Sequence, residues 1–166
     1  MRSSRASAYR STGFLTDGEE ARLAKELKNL EADTGLKLRV LAQVYPSTPG
    51  LAIKDYWSVD GRTVVFVADP SFGNILNFNV GEEIDLDVPR TFWTKLASRY
   101  GTSFYWKENG EGASILNTVA AIDSCFREEP GKGKCASVLN VDEYNSKQDA
   151  NKKNSPFSKL PKLTGN

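Results

Sequence analysis

Apolar residues recur at helical spacing in three long stretches of this chain. Short runs with strand character lie between them. Leu23, Leu27 and Leu30, with Ala24, make the first stripe, the mark of a helix that buries one face. Thr16 precedes it and Glu19 follows three residues later. That pair can satisfy the first free amides of a helix reciprocally. Gly35 stands where a helix exit takes a left-handed residue. The spacing predicts a helix from about Asp17 to Thr34.

Leu36, Leu38, Val40, Ala42 and Val44 then alternate with other residues, predicting a strand from Leu36 to Tyr45. Pro46 and Pro49 end it. Leu51 to Trp57 reads as a short helix with Leu51, Ala52 and Tyr56 on one side. Asp60-Gly61 reads as a turn. Thr63 to Ala68 is continuously apolar through Val64, Val65, Phe66 and Val67, as suits a strand buried on both faces. Asp69-Pro70 stops it. Ile75 to Val80 is a third strand with Leu76, Phe78 and Val80 on one face. Gly81 to Asp87 reads as an acidic loop. A helix from about Pro89 to Tyr100 follows, with Phe92, Trp93 and Leu96 inward and Gly101 at its end. Phe104, Tyr105 and Trp106 read as an aromatic cluster in a short connection. Glu111 to Phe126 is the last helix, striped by Ile115, Val119 and Ile122. The order α-β-α-β-β-α-α predicts an α/β fold, a small layered sheet with helices on both faces.

Beyond Cys135 the periodicity stops. Lys147, Lys152, Lys153, Lys159 and Lys162 face a single acid, Asp149, in the last twenty residues. The expected organisation is a basic N-terminal arm over 1–13, one domain over 14–138, and a flexible basic tail over 139–166. The tail is either a solvated terminus or a docking arm anchored by Phe157, Leu160 and Leu163.

Composition narrows the chemistry. The chain has 166 residues and a net charge of +1, so no global field recruits nucleic acid or a membrane surface. No apolar run is long enough to span a bilayer. The absence of histidine removes His-based acid–base catalysis, Ser-His-Asp and Cys-His nucleophiles and His-ligated metals. Cys125 and Cys135 flank a segment rich in glycine and charge. A disulfide closing that loop is geometrically easy and implies an oxidising compartment. Two unrelated free thiols are the other reading.

Several runs resemble TPM-domain proteins. They are Gly13-Phe14-Leu15-Thr16 before the first helix, Leu30-Glu31-Ala32-Asp33-Thr34-Gly35 at its exit, Leu38-Arg39-Val40-Leu41-Ala42, and Val80-Gly81-Glu82 after a strand. Longer runs resemble the small plant and algal thylakoid-lumen branch of that family. These are Thr48 to Asp55, Phe66 to Pro70, Phe72 to Gly81, and Phe104-Tyr105-Trp106-Lys107 with the paired cysteines. The resemblance covers about Phe14 to Ser137. It implies a sheet between helices, a chloroplast thylakoid-lumen address, and kinship with proteins described as acid phosphatases or as assembly factors of membrane complexes.

The resemblance also implies an acidic site. Its first part falls on Arg10-Ser11-Thr12-Gly13, which has no carboxylate. Its second part falls on Glu82, with Glu83, Asp85 and Asp87 nearby. Those four are the candidate ligands for Ca²⁺ or Mg²⁺, and Glu82 and Asp87 are the candidate catalytic carboxylates. The competing reading is an acidic loop whose charge suits a following helix start. Arg62 and Arg90 stand near the same loops as candidate phosphoryl contacts. Asp55, Asp60 and Asp69 read as turn formers. Phe104, Tyr105 and Trp106 are too dense for every ring to face inward, so one exposed ring there is a candidate interface anchor. The expected function is a non-catalytic lumenal accessory or assembly protein on a photosynthetic membrane complex, photosystem II first. The alternatives are a TPM-type acid phosphatase using Glu82, Asp85 and Asp87 with a divalent cation, or a cation-binding module without turnover.

Overall fold

The structure is a computed structural model, and it describes residues 9–10, 13–43, 57–131 and 134–135. The chain order is β1 (Tyr9–Arg10), α1 (Asp17–Thr34), β2 (Lys37–Ala42), β3 (Thr63–Ala68), β4 (Leu76–Val80), α2 (Glu82–Asp87), α3 (Arg90–Tyr100), α4 (Ser103–Asn109) and α5 (Glu111–Phe126). The predicted helix over Leu51–Trp57 lies outside the described residues apart from Trp57. So do Val44 and Tyr45, most of the N-terminal arm and the whole basic tail.

Local chemistry starts α1 as its sequence predicts. The Thr16 hydroxyl accepts from the Glu19 amide at 3.2 Å, and Glu19 Oε1 accepts from the Thr16 amide at 3.0 Å. The Thr16 amide, then the Thr16 hydroxyl, favour the ionised Glu19 carboxylate and lower its pKa. Gly35 ends the helix at φ 78°, a left-handed conformation that costs glycine little.

The sheet is mixed, in the order β1-β2-β3-β4. β1, β2 and β3 run parallel, and β4 is antiparallel to β3. Parallel neighbours need a crossover, and α1 supplies the one between β1 and β2. Period-two alternation splits the strand side chains. Leu38, Val40, Val64, Phe66, Ala68 and Leu76 join the main core, while Leu41 and Val65 pack with Trp57 on the opposite face. The main face meets Leu23, Leu27 and Leu30 of α1, Phe92, Trp93 and Leu96 of α3, and Ile115, Val119 and Ile122 of α5. An aromatic series ties the layers together. Phe66 stacks on Phe78 at 5.1 Å, Phe78 on Trp93 at 5.2 Å, and Trp93 reaches Phe126 at 6.2 Å.

Two segments read as loops form helices. The acidic stretch is α2, because buried Ile84 pulls it onto the core and the Gly81 carbonyl accepts from Ile84 and Asp85 at 3.0 and 3.2 Å. Glu82, Glu83 and Asp85 occupy its first turn, where negative charge is favoured. The aromatic connection is α4. The Thr102 hydroxyl caps it from the Tyr105 amide at 3.2 Å, and packing overrides the modest helix propensity of Phe, Tyr and Trp. Gly110, at φ 95°, joins α4 directly to α5.

One electrostatic anchor sits at the base of the sheet. Asp60 accepts from Lys37 Nζ at 2.6 Å, from the Arg62 amide at 2.9 Å and from the Thr63 hydroxyl at 3.0 Å. The Lys37 ammonium, then the Arg62 amide, lower its pKa from 3.8 to about 2. The folded state thus prefers the carboxylate. The stabilisation is complete above the ordinary Asp value and is lost as pH falls towards about 2. Asp60 is exposed and screened, so the effect stays below about 1 kcal/mol. Asp60→Asn is expected to flatten the pH dependence of Tm across that acid window, and thermal unfolding at a series of pH values measures it. An unchanged slope would dismiss the anchor.

Candidate functional site

The acidic candidates do not share a point. α2 is a single short helix, and its carboxylates project to different neighbours. Glu83 packs over Gly61, where a Cβ would lie 3.1 Å from its Cγ. Asp85 pairs with Arg90 at 3.4 Å. Glu82 and Asp87 are exposed. Among the described residues no group of three or more Asp, Glu, Cys or His side chains is placed to hold a metal ion. The residues therefore do not fit the Ca²⁺ or Mg²⁺ site that the resemblance implied, since such ions need several converging oxygens. Asp60 and Asp69 serve their turns. Asp69 Oδ1 accepts from the Ser71 amide at 2.9 Å, as Asp60 does from Arg62. Asp55 is outside the described residues.

Asp87 instead lines a polar groove of about 480 Å³ with Arg62, Asp33, Glu128 and Lys134. The Cys125–Cys135 disulfide closes one wall of this groove. Arg127, on the same wall, donates to Asp33 at 2.7 Å and to Asp123 at 2.5 Å. Both carboxylates raise its pKa and hold it charged. Glu128 accepts from the Cys135 amide at 3.1 Å. Arg62 donates from Nε to the Gly35 carbonyl at 3.3 Å. Sequence reasoning singled out Arg62 and Asp87 but missed Arg127 and Lys134, which the disulfide loop brings in from far along the chain.

The aromatic candidates separate by burial. Tyr105 and Trp106 are half-buried against the core. The Tyr105 hydroxyl accepts from Asn117 Nδ2 at 2.6 Å, and its ring meets Tyr100 edge-on at 5.5 Å. Phe104 is 80% exposed. It lines a second groove, of about 350 Å³, with Lys95, Ser98, Arg99, Thr102 and Tyr105. Its surroundings are stiff. Asn74 Nδ2 donates to the Ala97 carbonyl at 2.9 Å, and the Ile75 amide donates to Gly101 at 2.9 Å, stapling the β3–β4 loop to the α3–α4 corner. Lys95, Ser98 and Arg99 were not anticipated. The available signal was the polar face of α3, whose charged members are all cations. Phe157, Leu160 and Leu163 fall outside the described residues. No helix among the described residues is long and apolar enough to cross a membrane.

Comparison with known proteins adds the address. The chain is 65% identical over 125 residues to the thylakoid lumenal 15.0 kDa protein 2, chloroplastic, of Arabidopsis thaliana. The match takes in 75% of this chain and 56% of that protein's length. It bears out the thylakoid-lumen resemblance and the chloroplast lumenal address. No family model matches the chain. Among solved structures, the solution structure of the N-terminal domain of a protein from P. gingivalis superposes with a TM-score of 0.59 at 12% identity. It covers 72% of this chain and 81% of that one. That likeness shows the fold alone, and it agrees with the α/β architecture described above.

Proposed function

The chain is a homologue of a chloroplast thylakoid lumenal protein, and from that premise we propose that it acts by contact. It is an accessory or assembly protein on the lumenal side of a photosynthetic membrane complex, with photosystem II the first to test, and it runs no reaction. One observation carries this reading. Phe104 stands exposed on a stiff corner beside a groove, which is how an interface anchor is presented. Among the described residues, by contrast, the carboxylates of α2 form no group of three placed to hold a metal ion. A second reading, a TPM-type acid phosphatase, draws on Asp87 sharing its groove with the cations Arg62 and Lys134, groups that could hold phosphoryl oxygens.

Two measurements separate the readings. The full chain is expected to co-migrate with detergent-solubilised photosystem II on native gels, and removal of residues 140–166 is expected to weaken that association. A generic phosphomonoester is expected to stay intact between about pH 4 and pH 7, with or without Ca²⁺ or Mg²⁺. Turnover that disappears in Glu82→Gln and Asp87→Asn would defeat the contact-only reading.

A further inference from the structure

We propose that the groove between α3 and α4 receives an acidic segment of a protein partner, with an apolar side chain of that segment seated against Phe104. This rests on the accessory-protein reading and names the chemistry of the partner.

Charge is the first argument. Lys95 and Arg99 are the charged residues lining the groove and no acid lines it, although the whole chain carries only +1 and Glu108 follows Phe104 by one turn on α4. Lys95 and Arg99 are four residues apart on α3 and both line the groove, so they share one face of the helix. A positive cleft concentrates negative partners and steers their approach.

Shape is the second. The groove is concave, and Phe104 stands at its wall with 80% of its surface in water. The opposite face of α3 is committed to the core through Phe92, Trp93, Leu96 and Tyr100. A membrane-surface helix would instead need a broad apolar face turned outward. One exposed ring beside a cleft suits a single inserted side chain.

The chain's own segments fit less well. The C-terminal tail has the same sign of charge as the groove. α2 is acidic and carries Leu86 at 86% exposure, but it already engages Asp85 with Arg90 and packs Glu83 on Gly61. An acidic segment from another protein meets no such prior commitment.

The test uses the full chain and a fluorescent acidic peptide of about ten residues with a central Trp. Matched peptides replace the Trp by Ala or the acids by Lys. The acidic Trp peptide is expected to bind, and to bind about tenfold more weakly to Phe104→Ser and to Lys95→Glu. Added salt is expected to weaken it, and the Lys peptide is expected not to bind. Both substituted side chains are exposed, and unchanged thermal unfolding checks that the variants fold. Equal peptide binding by wild type and Phe104→Ser overturns the proposal. So does Phe104-dependent binding to phosphatidylglycerol vesicles without peptide binding, which assigns the patch to a membrane. Self-association lost in both Phe104→Ser and Leu86→Ser, seen by sedimentation, overturns it in favour of a second copy. Photosystem co-migration retained by Phe104→Ser removes this surface and leaves the accessory reading intact. Peptide binding without any co-migration of the wild type keeps the surface and removes that reading.

Discussion

Gly81→Ala is expected to destabilise the fold by about 3 kcal/mol and to lower Tm by about 10 °C. The backbone at Gly81 is extended, at φ −65° and ψ 151°, so alanine meets no conformational strain there. Space is the difficulty. A Cβ would lie 2.6 Å from the Gly61 carbonyl carbon and 2.9 Å from the Thr63 oxygen. Both are backbone atoms, and neither can swing aside as a side chain would. Gly81 also donates to the Thr63 oxygen at 2.9 Å, and Glu83 to the Gly61 oxygen at 3.0 Å. Asp60 pins the same turn through Arg62 and Thr63. Relieving the clash therefore breaks the seat of α2. Gly61→Ala is the control. Its Cβ would meet the Glu83 side chain at 3.1 Å, and that exposed chain can move, so a loss within about 1 kcal/mol is expected. Thermal or urea unfolding of both variants measures the difference. Matching midpoints for Gly81→Ala and wild type would show that the turn has room.

Opening the Cys125–Cys135 disulfide is expected to remove about 3 kcal/mol, the chain-entropy value for a loop of this size. Cys125 is buried on α5, and Cys135 is buried with it at a Cα separation of 4.6 Å. The loop between them carries Pro130 and Lys134 of the polar groove, and Phe126 at its start closes the aromatic series from the sheet. Lys134 Nζ lies 5.4 Å from the Phe126 ring, a cation–π contact that the closed loop holds in place. Reduction therefore frees one wall of the groove. The double variant Cys125→Ala/Cys135→Ala and the reduced wild type are expected to unfold at the same lowered midpoint. Mass spectrometry before and after reduction establishes which form is being melted. A reduced protein as stable as the oxidised one would mean that core packing alone holds the loop.

The disulfide and the lumenal relative agree in one respect. Both bear on the address: the disulfide points to an oxidising compartment, and the relative's name places that protein in the chloroplast thylakoid lumen. The charge pattern of α3 and the exposure of Phe104 are separate facts, and they bear on what the protein touches once it is there.

The amino-acid sequence determined the elements whose signals are local. Capping chemistry at Thr16 and Glu19 and a glycine at the exit are enough to delimit α1. An unbroken apolar run followed by Asp69-Pro70 is enough to delimit β3. α5 shows its buried stripe at regular spacing. Tertiary structure decided whatever depends on neighbours distant in the chain. α2 is helical because Ile84 finds a place in the core, and α4 because Tyr105 and Trp106 do. Which of the three clustered rings would stay in water was settled by the surfaces that α5 and Tyr100 offered to the others. The acids of the resemblance sat close in sequence, but a helix sets Glu82 beside Asp85 and Glu83 beside Asp87 on two different faces. Four acids close along the chain thus became two separate pairs, with no group of three placed to hold a metal ion among the described residues, while Arg62, Asp87 and Lys134, far apart in sequence, came to line one groove.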